Sequence, residues 1–237
     1  MSNTVLDPKV RNFLIEASHK AILSEEGKDG YEYLKNRGIR DETIKSWNLG
    51  FCPSHVQNLF FNNRIIIPQY DPYDNIEIVS ARKITNEKPT WWNEKFEKGR
   101  HLFGLNKAKR SIHKCNMAII VEGQFDVISM HQAGVDMTVG VCGSGFSEYH
   151  LNLLARYCNR IVLAFDIDEN GSGQKANTRA FEMLKNNDFY IYRWFLPKSS
   201  DPDEYVRKIG GKRCMAQIKE VIKKYKFKNK NGLQYKF

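Results

Sequence analysis

The sequence predicts an α/β fold: a mainly parallel sheet flanked by helices, preceded by a smaller α+β amino-terminal subdomain and followed by a short helical, basic tail. From Met117 onward, apolar runs of strand length alternate with segments of helical period, the pattern of strands buried on both faces by helices. Ahead of that stretch, a helical region gives way to two β-rich runs separated by a dense cluster of turn residues. Beyond Lys219 the chain is rich in lysine and has no apolar face of any length. The expected divisions are 1–115, 116–205 and 206–237.

The elements follow in order. Pro8 to Leu23 carries Val10, Phe13, Leu14, Ala17 and Ala21 close to helical spacing. A second helix is predicted over Gly30 to Lys35, ending at Gly38, and a third over Glu42 to Trp47 with Asp41 as its cap. Arg64 to Pro68 and Ile76 to Ala81 read as strands of a β-hairpin joined by Tyr70-Asp71-Pro72-Tyr73-Asp74-Asn75. Strands are then predicted at Met117 to Val121, Met137 to Val141, Arg160 to Phe165 and Phe189 to Trp194. Helices are predicted at Phe125 to Gln132, Glu148 to Tyr157 with Ser147 as cap, and Gly173 to Leu184. The lysine-rich end reads as a short helix followed by a mobile segment.

With 237 residues, 41% hydrophobic and 12% aromatic, the chain is long and apolar enough to bury one large or two small cores. It contains no apolar run of the roughly 18 residues a membrane span needs, and no signal-peptide pattern at its start, so a soluble, cytoplasmic protein is expected. The five cysteines are scattered without a C-x-x-C pair or Cys/His zinc spacing, so neither disulfides nor zinc are expected. A net charge of +10 suits a polyanionic partner, although an ordinary basic surface accounts for it equally well.

The chemistry concentrates in two acidic clusters at predicted strand ends: Glu122-Gly123-Gln124-Phe125-Asp126 after Met117 to Val121, and Asp166-Ile167-Asp168 after Ile161 to Phe165. Residues two apart on an extended chain point to one side, so Asp166 and Asp168 would repel unless a cation lay between them. A hard divalent metal answers that repulsion, and magnesium is the natural one. An isolated Asp-x-Asp is more often a solvated turn, and what raises this one is its register with Glu122-Gly123. The glycines Gly140, Gly143 and Gly145 suggest close packing of a strand-to-helix turn rather than a phosphate loop. Gly171-Ser172-Gly173-Gln174-Lys175 lacks the P-loop spacing, which excludes a Walker-type ATPase.

Glu122-Gly123 with Asp126, then Gly140 and Gly143, then Asp166-x-Asp168-x-x-Gly171, resembles the TOPRIM pattern. The flanks resemble the catalytic core of bacterial and phage DNA primases: Tyr33 to Ile39, Leu49 to Pro53, Asn63 to Pro68, Ser80-Ala81-Arg82, Phe96 to Leu105, and Ser200 to Glu204 with Val206-Arg207-Lys208. The resemblance implies a TOPRIM-type sheet and metal-dependent, template-directed synthesis of short RNA primers on single-stranded DNA, by a nucleotidyltransferase that releases pyrophosphate. It implies Glu122, Asp166, Asp168 and Lys98 as catalytic residues. Glu122, Asp166 and Asp168, with Asp201 and Asp203, would hold magnesium, manganese being able to substitute. Arg64, Arg82, Lys88, Lys98, Arg100 and Lys175 would contact template or nucleotide phosphates, with Lys88 standing in for the lysine that the family places just after Pro89. Trp91 and Trp92 suit either base stacking or a core. Against the resemblance, a zinc ribbon, a fused helicase and a long helicase-binding segment are not expected in this sequence, and its carboxyl-terminal helical subdomain reads as much shorter than that of a cellular primase. That fits a phage or plasmid primase working with a separate replicative helicase and a zinc-bearing initiation subunit. Two alternatives stand beside it: a TOPRIM nuclease, and a template-binding primase subunit that needs a partner for activity.

Overall fold

The computed structural model describes residues 5–53, 61–95, 99–143, 145–164, 189–197 and 200–230, the last six by backbone alone. The chain divides into two compact units, Met1–Glu97 and Lys98–Phe237.

In the first unit, Asp7 caps α1 (Pro8–Ile22) by accepting the Lys9 N–H at 2.8 Å, with Pro8 at the position where a missing N–H costs nothing. The helix buries Arg11, Ile15, Ser18 and Ile22, a stripe at helical spacing. A single 3₁₀ turn leads to α2 (Lys28–Asn36), and Gly38, with φ of 76°, reverses the chain into α3 (Asp41–Ser46). Asp41 does not cap α3. Arg40 occupies the cap position, and the Asp41 carboxylate instead accepts the Tyr31 hydroxyl and the Lys35 ammonium, each at 2.9 Å.

The predicted hairpin is β2 (Arg64–Tyr70) and β3 (Ile76–Lys83), paired antiparallel. Asp71 organises the turn by accepting the N–H groups of Tyr73 and Asn75 at 2.7 and 2.9 Å. Two three-residue strands that the sequence did not announce, β1 (Gly50–Cys52) and β4 (Trp91–Asn93), complete an antiparallel sheet of order β1-β2-β3-β4. Helix α1 lies so close on β1 that a Cβ at Gly50 would fall 2.2 Å from Ser18 Oγ. Ile15, Cys52, Phe61, Ile66, Val79 and Ala81 form the core between them. Glu94 fastens this arrangement. Its carboxylate is fully buried, pairs with Arg11 at 2.6 and 3.0 Å, and accepts the N–H groups of Leu6 and Val79 at 2.8 and 3.1 Å.

The second unit opens with α4 (Leu105–Cys115), which buries Leu105, Ala108 and Ile112. Then come β5 (Ala118–Val121), α5 (Gln124–Gln132), β6 (Thr138–Gly140), α6 (Glu148–Leu154), β7 (Arg160–Leu163) and β8 (Tyr190–Arg193). All four strands run parallel in the order β6-β5-β7-β8, so β5 and β7 are central, and every residue of β5 is buried. That is the predicted mainly parallel sheet. Ser147 caps α6 as expected, accepting the His150 N–H at 3.2 Å. The helix predicted over Gly173 to Leu184 lies outside the described residues. The chain continues through α7 (Pro202–Ile209) to α8 (Gly211–Lys230), which buries Cys214, Ile218 and Ile222. A Cβ at Gly211 would lie 1.9 Å from the Ala133 carbonyl oxygen, so only glycine lets α8 begin this close to the end of α5. Among the described residues, no helix is long and apolar enough to cross a membrane.

Candidate active site

Ligands of open parallel sheets bind beyond the carboxyl ends of the strands, and β5 delivers Glu122 there. Its side chain is part-exposed, with Oε1 buried. The peptide that follows is held at both ends. The Glu122 carbonyl accepts the Cys142 N–H at 2.9 Å, and the Gly123 N–H donates to Asp126 Oδ2 at 2.8 Å. Gly123 is extended, at φ −111° and ψ 162°, and serves as N-cap of α5. A Cβ there would meet Asp126 Oδ2 at 2.9 Å.

The turn after β6 needs its glycines for two reasons. At Gly140 a Cβ would touch Val127 Cγ2 at 3.0 Å, the close packing expected from the sequence. At Gly143 and Gly145 the space is open but φ is 78° and 67°.

Asp201 and Asp203 have separate duties. Asp201, part-exposed, caps α7 by accepting the Glu204 N–H through Oδ1 at 2.7 Å. Asp203 is buried. Its Oδ1 accepts the Ser129 hydroxyl at 2.5 Å and Arg207 Nε–H at 2.9 Å, and its Oδ2 lies 3.4 Å from Arg207 Nη2. Asp126, also buried, accepts the Asp203 N–H through Oδ1 at 3.2 Å. Asp166, Asp168, Lys98 and Lys175 lie outside the described residues. Among the described residues no group of three or more His, Cys, Asp or Glu is arranged to hold a metal ion. The donor set named from the sequence nevertheless suits a hard cation: Glu122 offers a carboxylate at the end of a central strand, and the two aspartates that follow β7 in the chain add only oxygen.

The basic residues divide by environment. Arg64 is buried and donates to the carbonyls of Thr90 and Pro89, both at 2.9 Å, and of Ala81 at 3.4 Å. Burial pulls its pKa down. Its guanidinium therefore braces the segment leading into β4. Arg82 faces Trp91 across the β3–β4 pair, with its guanidinium 5.2 Å from the indole centroid, and its Nε–H donates to Tyr33 Oη at 2.7 Å. The pleat sends Trp92 to the opposite face, where its ring stands edge-on to Phe61 at 4.7 Å beside the core. Lys88 and Arg100 are exposed, Arg100 lying 5.7 Å from the ring centroid of Tyr149.

Three residues of structural weight were not among the site residues named from the sequence. Tyr33 stands within a segment of family resemblance, which is the one hint of its contact with Arg82. Ser129 looked like an ordinary helix residue. His150 is buried between the Ser147 N–H, which donates to Nδ1 at 3.2 Å, and the His101 carbonyl, 3.0 Å from Nε2. Those partners fix the neutral ring with its proton on Nε2, and burial lowers its pKa to about 4.

A parallel sheet of this order with Glu122-Gly123 at the end of a central strand defines a TOPRIM-type domain, and the family model described as Toprim-like matches residues 119–206. The relatives sharpen that class. The chain is 32% identical to the DNA primase of Rickettsia typhi over 83% of this chain and 39% of that one, and 28% identical to the DNA primase of Halalkalibacterium halodurans over 90% and 41%. It therefore spans about two fifths of the length of these curated relatives. The crystal structure of a DNA primase domain from Pseudomonas aeruginosa superposes with a TM-score of 0.82 at 27% identity, covering 93% of this chain and 81% of that domain. The Aquifex aeolicus primase, solved as its zinc-binding and RNA polymerase domains, gives 0.78 at 26% identity over 88% and 59%. In sequence and fold the chain is thus a relative of the catalytic core of bacterial-type DNA primases with a TOPRIM domain.

Proposed function

We propose that the chain is a primase catalytic core, a nucleotidyltransferase that joins ribonucleoside triphosphates into short primers on a single-stranded DNA template and releases pyrophosphate. The observation that carries this reading is Glu122 at the carboxyl end of β5, held by a peptide fixed at both ends, in a sheet flanked by the sequence segments of primase cores.

Glu122, Asp166 and Asp168 are the residues proposed to hold magnesium, with manganese able to substitute. Asp201, part-exposed and using Oδ1 for its helix cap, is the auxiliary acid. Bound there, the metal supplies charge neutralisation at the α-phosphate and activation of the 3′-hydroxyl in an in-line displacement. The protein's own part is to orient and to balance charge. Lys98, Arg100 and Lys175 are proposed to face nucleotide phosphates. Arg82 and Lys88 of the amino-terminal unit are proposed to take template or nucleotide phosphates, the Arg82 guanidinium being oriented by Tyr33 and Trp91. Arg64 keeps an indirect part through its grip on Pro89 and Thr90.

The functional divisions proposed are a primase-core subdomain at 1–115, the TOPRIM domain at 116–205 and a basic carboxyl-terminal tail at 206–237. The proposed setting is the cytoplasm of a bacterium or phage-infected host, during phage or plasmid replication. A replicative helicase and a zinc-bearing initiation subunit are the proposed partners. The test is incubation with single-stranded templates, four ribonucleotides with one α-labelled, and magnesium or manganese. Short labelled oligomers are expected from the wild-type chain and none from Asp166→Ala. Cleavage of the template instead would move the assignment to a nuclease.

A further inference from the structure

Asp126 and Ser129 stand three residues apart on α5, on the face that meets α7. Between them they hold both polar ends of Asp203: Asp126 Oδ1 takes its N–H at 3.2 Å, and the Ser129 hydroxyl donates to its Oδ1 at 2.5 Å. Arg207, one turn further along α7, closes the far side of the same carboxylate at 2.9 and 3.4 Å. Three protein donors thus occupy an acid that is buried to within 1% of complete. A carboxylate offers about four lone-pair sites, so little of this one is left for an ion.

The other oxygen of Asp126 carries the consequence toward the chemistry. Oδ2 accepts the Gly123 N–H at 2.8 Å, and the carbonyl of that same peptide unit, belonging to Glu122, accepts the Cys142 N–H at 2.9 Å. This peptide is bonded directly to the Glu122 Cα, and the two hydrogen bonds hold its plane from opposite ends, so they steady the backbone from which the side chain springs. Whatever steadies Asp126 therefore helps to steady the backbone at the point where Glu122 leaves the sheet.

We infer that Asp203 is a positioning residue: with Ser129 and Arg207 it clasps α7 to α5, steadies Asp126, and through the Glu122–Gly123 peptide aims the Glu122 carboxylate. The inference rests on the metal-site reading of Glu122 above. It assigns Asp203 a place outside the metal shell and makes Ser129, a residue with no metal role on any reading, necessary for tight metal binding.

The experiment uses the full chain and manganese alone, followed by the electron paramagnetic resonance signal of free Mn²⁺ at a temperature well below melting. Urea midpoints are recorded in parallel. Outer groups that hold a metal ligand by a direct hydrogen bond are typically worth about 10–100-fold in affinity. Acting through a peptide rather than on the carboxylate, the clasp is expected to give about three- to tenfold for Ser129→Ala and for Asp203→Asn, with the number of bound ions unchanged. The double variant should resemble the weaker single one, because both changes open one clasp. If Asp203→Asn removes an ion or falls as low as Glu122→Gln while Ser129→Ala binds like wild type, Asp203 is a ligand and the inference fails. If both variants lower the urea midpoint but keep wild-type affinity, the clasp braces the fold only, and the inference fails again. No binding by the wild-type chain would bring down the metal-site reading itself, and the clasp's role with it.

Discussion

Replacing Arg11 by alanine is expected to destabilise the amino-terminal unit by about 3–5 kcal/mol, because it leaves the Glu94 carboxylate buried without its cation. Arg11 supplies two of the four hydrogen bonds that carboxylate accepts from the described residues, at 2.6 and 3.0 Å, and the Glu94 side chain has no exposed surface through which water could replace them. Hydrogen bonds to a charged group contribute about 1.5–3 kcal/mol each, so the loss of two agrees with the range for a broken buried pair. Urea unfolding measures it directly. With a slope of about 1–3 kcal/mol/M, the midpoint should fall by 1 M or more. The double variant Arg11→Met/Glu94→Gln removes both charges and should recover much of the loss. A change below about 1 kcal/mol for Arg11→Ala would show that the pair is solvated, as surface pairs are, and would refute the reasoning.

Three further outcomes follow from other environments. His150 has its folded pKa lowered from 6.5 to about 4, so its contribution is fully present above pH 6.5 and is lost as the pH falls toward 4. The loss is about 3 kcal/mol at most, and His150→Gln should flatten the urea midpoint across that window. Arg64→Ala should cost about 2 kcal/mol by stripping charged donors from the Thr90 and Pro89 carbonyls, while leaving the salt dependence of single-stranded DNA binding unchanged in a fluorescence titration. Lys88→Ala should do the reverse, leaving stability alone and flattening the log–log salt slope by about 0.7, the share of one phosphate contact. An unchanged slope for Lys88→Ala would remove it from the template surface.

The sheet of the second unit was legible because β5 and β7 are buried on both faces, which writes unbroken apolar runs such as Ala118 to Val121 into the chain. The β2–β3 hairpin was legible from Asp71, whose side chain builds the turn by itself. Helix α4 was missed because Lys107, Lys109 and Arg110 crowd a segment whose buried stripe is only Leu105, Ala108 and Ile112. Strands β1 and β4 are three residues long, too short for alternation to declare itself.

The site was readable where one residue suffices and unreadable where two distant ones must meet. Glu122 follows an apolar strand, a local pattern. The pairing of Glu94 with Arg11 spans 83 residues and that of Asp203 with Ser129 spans 74, and nothing local in the sequence marks either. Arg64 illustrates the converse. Its position in a family segment suggested phosphate contact, whereas the β2–β3–β4 packing turns its guanidinium onto backbone carbonyls.

The most direct test of the account is primer synthesis by the purified chain on single-stranded DNA, resolved on a denaturing gel for wild type, Glu122→Gln and Asp166→Ala. The account predicts short labelled ribonucleotide oligomers that require magnesium or manganese and disappear in both variants while template binding persists. Full synthesis by Glu122→Gln or Asp166→Ala would contradict it.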